Sequence, residues 1–130
     1  MIVLDASAVL EVLLNTSAGA RISARVFAEG ETLHAPHLLD LEVAQVLRRY
    51  FLSGELAGER AGQALEDLMD LRLVRYPHEP FLPRIWDLRS NFTAYDAAYL
   101  ALAEALYATL VTRDRGLAAP GAHSAQVEVF

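Results

Sequence analysis

A chain of 130 residues, 54% apolar, is long enough for one self-sufficient core that buries about two thirds of its unfolded surface, and with no cysteine it can build neither a disulfide nor a thiolate metal site. The net charge of −6 excludes a passive nucleic-acid binder, which would be basic, and the eleven basic residues are all Arg, which excludes any mechanism that needs a lysine. The first twenty residues carry Asp5 and Glu11 and no basic n-region, and no apolar run approaches the ~18 residues of a membrane span, so a soluble cytoplasmic protein with no membrane partner is expected.

Met1 to Leu4 read as a strand buried on both faces, strand 1 running over about residues 2–5 and ending at Asp5. A helix follows over 7–14 with Ser7 placed to cap it, and a second over 18–29. Thr32 to Ala35 is a short strand stopped by Pro36, and the helix from about 37 to 53 ends at Gly54, in the position of a C-terminal cap. Residues 55–71 read as another helix, 73–76 as a strand before Pro77, and 79–90 as a helix whose start Pro83 restricts. The run over 93–107 is a strong helix, 109–112 a strand, and 126–130 a last edge strand. With no repeat, low-complexity tract or linker, residues 1–130 form one domain. Strands alternating with helices predict an α/β fold with a parallel sheet covered on both faces. Ligands of such folds bind outside the carboxyl ends of the strands, where the strand order reverses.

Asp5 lies at one such strand end and Asp114 two residues beyond another. A carboxylate ending a buried strand costs free energy unless something compensates its charge. Glu42 has Leu38, Leu39, Gln45 and Val46 as its helical neighbours, an apolar setting for a surface Glu. Asp40 competes with it, although an acid in the first turn is already favoured by the helix dipole. Asp96 stands three residues after Thr93, in an approximation to a capping box, and Asp114 fits a turn leading into Arg-Gly-Leu-Ala. Each has a local role available, but strand ends and helix N-termini point to one rim of the sheet. Carboxylates without Cys or Lys are hard ligands suited to Mg²⁺ or Mn²⁺. Two ions roughly 3.5–4 Å apart can activate a water and stabilise the leaving oxygen in phosphodiester hydrolysis. Metal is thus the expected compensation for Asp5.

These residues carry a pattern. V-L-D-A-S-A-V-L at 3–10, L-E-V-A-Q-V-L-R-R at 41–49, N-F-T-A-Y-D-A-A-Y-L-A-L-A at 91–103 and L-V-T-R-D-R-G-L-A at 110–118 span nearly the whole chain. In order and spacing they resemble a PIN-domain ribonuclease of the VapC toxin type, from bacterial toxin–antitoxin pairs. The resemblance implies a single PIN-like domain with a mostly parallel five-stranded sheet, and Asp5, Glu42, Asp96 and Asp114 as catalytic metal-binding acids, which takes Glu42 over Asp40. It implies that Ser7 and Thr112 support the metal ligands by hydrogen bonds, and that RNA is cut to leave 5′-phosphate and 3′-hydroxyl ends. A homodimer and a VapB-like antitoxin partner are implied as well. Many members carry a further basic residue after Arg-Asp-Arg, whereas here Gly116 follows.

Arg113 and Arg115 flank Asp114 and are candidates for RNA backbone contact, or for balancing local acids. Arg48 and Arg49 read as a solvated helix end. The four His, at 34, 37, 78 and 123, have no ligand spacing and read as structural or surface residues. Trp86, Tyr95 and Tyr99 are candidates for base stacking, although aromatics beside helical apolar positions are more often core or interface. The high apolar fraction implies that another copy or a partner covers part of the surface. Two enzymes with related folds fail on residues: a receiver domain needs a late Lys, and a haloacid-dehalogenase phosphatase needs Asp two residues after Asp5, where Ser7 stands. The expectation is a metal-dependent endoribonuclease toxin. Its competitor is a non-catalytic module whose acidic cleft binds an Arg-bearing partner.

Overall fold

The computed structural model describes residues 1–130. Ile2, Val3 and Leu4 form β1, with exposures of 0, 0 and 3%. Successive strand side chains point to opposite faces, so both faces of β1 are covered. The elements that follow are α1 (Ala6–Leu13), α2 (Ser17–Val26), β2 (Leu33–Pro36), α3 (Leu38–Leu52), α4 (Gly58–Asp70), β3 (Leu73–Tyr76), α5 (Leu82–Asp87), α6 (Ala94–Leu106), β4 (Thr109–Thr112) and β5 (Gln126–Val129). Short 3₁₀ turns at Glu79–Phe81 and Arg115–Ala118 precede α5 and follow β4.

The five strands are all parallel, in the order β3-β2-β1-β4-β5. The chain builds outward from β1 through β2 to β3, then returns to place β4 on the other side of β1. The reversal therefore lies between β1 and β4, and the crevice beyond their carboxyl ends is where this topology places a ligand. Helix α6 lies along β1, β2 and β4 with α5 against it, whereas α1 packs on α2, α3 and α4. Residues Ala97–Ala103 of α6 are all buried, and four of them are Ala, which lets the helix approach the sheet closely. A helix buried all round needs cover on its outer side too, which α5 helps to supply.

Most expected elements are present, and the differences have local causes. The second helix stops at Val26 rather than 29, because Phe27, Ala28 and Glu29 are all exposed and offer no apolar face to bury. Helix α4 begins at Gly58 rather than 55, since Gly54 turns the chain at φ +79° and the Leu56 N–H donates back to the Tyr50 carbonyl. The expected helix over 79–90 is a 3₁₀ turn followed by α5, in keeping with Pro80 and Pro83, each of which removes a backbone donor. Pro36 closes β2 from within, paired with Tyr76, rather than preceding its end. Helix α1 starts one residue before the expected position, and Ser7 does not cap it: Asp5, in extended conformation, occupies the cap position and Ser7 lies inside the first turn. No helix is long and apolar enough to cross a membrane.

Candidate active site

Asp5 is 8% exposed, and its N–H donates to the Val111 carbonyl of β4 at 3.0 Å. Its side chain does not cap α1. Instead Oδ2 accepts two hydrogen bonds of 2.7 Å, one from Ser7 Oγ and one from Thr112 Oγ1. Both hydroxyls are themselves held by the chain leaving β4: the Arg113 N–H donates to Ser7 Oγ at 3.0 Å, and the Asp114 N–H donates to Thr112 Oγ1 at 2.9 Å. The ends of β1 and β4 are therefore locked together through two side-chain hydroxyls. Asp5 Oδ1 receives no hydrogen bond from the protein. One carboxylate oxygen is anchored and the other is free of protein hydrogen bonds.

Glu42, on α3, is half-buried, and its Oε1 accepts a 2.6 Å hydrogen bond from the Tyr99 hydroxyl. Burial raises the Glu42 carboxyl above its ordinary range, and the charges of Asp5 and Asp96 push the same way against the bond from Tyr99. Asp96, in the first turn of α6, is raised by burial and then by the charges of Asp5 and Asp114. Thr93 caps that helix, accepting from the Asp96 N–H at 3.1 Å, so the local capping reading of this segment holds alongside the wider electrostatic one. Asp114 likewise keeps its turn role, Oδ1 accepting from the Gly116 N–H at 2.8 Å. The four acids share one field, though as they lie no three His, Asp or Glu side chains stand close enough to hold an ion. Their oxygen-only chemistry fits a hard divalent cation, and the charges of neighbouring acids add to the burial that raises Glu42 and Asp96.

Asp40 belongs elsewhere. Arg75 on β3 grips it through two hydrogen bonds of 2.7 and 3.0 Å, so its charge is spent on tying α3 to the sheet. Tyr99 is the residue that sequence reasoning underrated: it is fully buried and yet reaches the acids. The available signal was its place three residues after Asp96, on the same side of α6. Trp86 and Tyr95, by contrast, are each 65% exposed. Arg113 donates to the Phe130 carbonyl at 2.6 Å and faces Glu11 at 3.6 Å, whereas exposed Arg115 makes no ion pair. His34 is structural, held between Thr32 and Tyr76. The roomiest groove, about 780 Å³, lies near the amino ends of β2 and β3, at the opposite edge of the sheet from the acids. The acids stand on an open rim, which suits a polymer better than an enclosed small molecule.

The PIN domain model matches residues 2–122. The chain belongs to the PIN-domain family. It is 45% identical over 121 residues to VapC ribonuclease Mb0985 of Mycobacterium bovis, covering 93% of this chain and 91% of that one. It is 40% identical over 129 residues to Ribonuclease VapC12 of Mycobacterium tuberculosis, covering 99% of this chain and 98% of that one. Within the family it therefore stands among the VapC ribonucleases. The fold matches that of VapBC2 from Rickettsia felis, solved bound to a DNA fragment from their promoter, with a TM-score of 0.72 at 15% identity over 99% of this chain and 98% of that one.

Proposed function

We propose that this protein is a metal-dependent endoribonuclease, the toxin of a type II toxin–antitoxin pair, that hydrolyses phosphodiester bonds of RNA. The observation that carries the proposal is the half-anchored Asp5 carboxylate at the β1–β4 switch point, in one field with Glu42, Asp96 and Asp114. Those four residues would hold Mg²⁺ or Mn²⁺, two ions when substrate is bound. When bound, such ions polarise the scissile phosphate and lower the pKa of a water.

The chain's own contribution is placement. Ser7 and Thr112 fix Asp5 Oδ2, so the carboxylate cannot rotate freely away from the rim. Tyr99, whose phenol burial keeps far above its ordinary pKa, is a permanent donor that fixes Glu42 Oε1. Arg115, exposed and unpaired, is placed to meet the RNA backbone beside Asp114. No side chain in this set acts as a covalent nucleophile.

The proposed protein partners are a VapB-like antitoxin and a second copy of the chain. The VapC-type relatives and the VapBC2 assembly support the first. Leu41, Phe51, Leu52, Leu65 and Met69 on α3 and α4 are all exposed and give protein partners an apolar face to cover. A cytoplasmic site of action fits an RNA target.

The competing reading, a binding module that grips an Arg-bearing partner, draws on the absence of a ready-made three-carboxylate cage. RNA cleavage by purified, antitoxin-free protein decides between them. Cleavage in Mg²⁺ or Mn²⁺ that stops in EDTA is expected. Folded protein that cuts no RNA under any metal would favour the binding module.

A further inference from the structure

A pocket of about 360 Å³ opens between Asn91, Phe92, Gly116 and the turn formed by residues 119–122. Its two sides belong to segments that carry two of the four acids. Asn91 and Phe92 lead directly into Thr93 and Asp96, and Gly116 follows Asp114 by two residues. The contact with the acids is direct on one side: the Gly116 N–H donates to Asp114 Oδ1 at 2.8 Å, and a Cβ at position 116 would stand 3.1 Å from that oxygen. Glycine at 116 therefore adds no side chain to the pocket wall, and any Cβ there would crowd the Asp114 carboxylate.

The walls are braced. His123 Nε2 bonds the Leu117 carbonyl at 2.8 Å, and its ring packs on Phe92 with centroids 5.6 Å apart. Glu104 accepts from the Ser124 N–H at 2.9 Å and is gripped by Arg84 at 2.7 and 3.0 Å, while Arg84 also donates to the Ala122 carbonyl at 3.4 Å. The turn is thus tied to α5 and α6 on one side and to the segment after Asp114 on the other. The lining holds one amide, one aromatic ring, glycines, alanines and a proline, with no ionisable side chain. Phosphate has its counter-charge outside, at the unpaired Arg115. What the pocket suits is a neutral, flat group with hydrogen-bonding edges.

We propose that this pocket receives one nucleobase of the RNA next to the bond that is cut, with Asn91 reading its edge and Phe92 forming part of the wall. The inference rests on the ribonuclease reading and assigns it a specificity element. Its size, at the low end of the range for ligand sites, fits a single base rather than a stacked pair.

The test is cleavage of a randomised RNA pool in Mg²⁺, read by sequencing the fragment ends, for wild type, Asn91→Ala and Ala119→Leu. Both positions are exposed, so the variants keep the core, and melting curves verify it. Wild type is expected to favour one base at least tenfold at one position within two nucleotides of the cut. Asn91→Ala flattens that preference. Ala119→Leu, which fills the pocket, raises KM at least tenfold on the favoured sequence, yet matches wild type on a substrate abasic at that position. Variants that keep the wild-type base profile, or a wild type without any preference, overturn the inference and leave the ribonuclease reading intact. A wild type that cuts no RNA overturns both.

Discussion

Thr112→Val tests the hydroxyl lock between β1 and β4. Thr112 is completely buried, and its hydroxyl donates to Asp5 Oδ2 at 2.7 Å while accepting from the Asp114 N–H at 2.9 Å. Valine keeps the branched shape and removes both bonds. A hydrogen bond to a charged group contributes about 1.5–3 kcal/mol, and an N–H left without its partner adds about 1 kcal/mol. The extra buried methyl returns up to about 0.8 kcal/mol. The net loss is about 2 kcal/mol, which at about 2.1 cal/mol/K per residue lowers Tm by about 7 °C. Urea unfolding at pH 7, with the m-value held constant, measures it. Thr112→Ser restores the bonds and should recover most of the loss. Ser7→Ala, at a half-buried site sharing the same oxygen, should cost about 1 kcal/mol and combine non-additively with Thr112→Val. A Thr112→Val protein within about 0.5 kcal/mol of wild type, or a Thr112→Ser protein as unstable as the valine variant, would refute the reasoning.

Tyr99→Phe removes the donor to Glu42 and should cost about 1.5–2 kcal/mol at pH 7, with a smaller deficit at pH 4, where the raised Glu42 carboxyl is protonated; paired urea titrations at the two pH values show it. Asp96→Asn should cut RNA cleavage at least ~100-fold yet raise the Tm of the metal-free protein in EDTA at pH 7 by a few degrees. The sign follows from the raised Asp96 carboxyl: its stability contribution is intact below the unfolded pKa and is lost as pH rises through the folded value, so the gain from the amide should vanish near pH 3. Glu104 runs the other way, its carboxyl held below the ordinary range chiefly by Arg84. Glu104→Gln should therefore destabilise the protein by about 1–2 kcal/mol at pH 7, an effect that shrinks as pH falls through the folded Glu104 value, and limited proteolysis should find residues 119–124 more readily cut.

The parallel α/β order and the strand ends were legible because β1 and β4 announce themselves as short apolar runs stopped by polar residues. Pro83 limited where the helix over 79–90 could start, but its division into a 3₁₀ turn and α5 emerges only in the structure. Ser7 was misplaced as a cap because a local pattern cannot show that Thr112, far along the chain, would share the same carboxylate. The choice between Asp40 and Glu42 stayed open in the helical pattern for a similar reason: Arg75, 35 residues later, is what takes Asp40 away from the rim. Tyr99 looked like core and is core, but burial of its ring is what fixes the hydroxyl on Glu42. Local periodicity shows which face is apolar, and long-range partners decide what a polar group on that face does.

The central claim is that Asp5, Glu42, Asp96 and Asp114 jointly hold the ions on which cleavage depends. Mn²⁺ binding followed by electron paramagnetic resonance, in parallel with RNA cleavage over the same Mn²⁺ titration, tests it most directly. The account predicts that wild type binds Mn²⁺ and gains activity over the same concentration range, and that Asp5→Asn loses both while remaining folded. Wild-type cleavage that persists in EDTA, or an Asp5→Asn protein that binds and cuts like wild type, would contradict it.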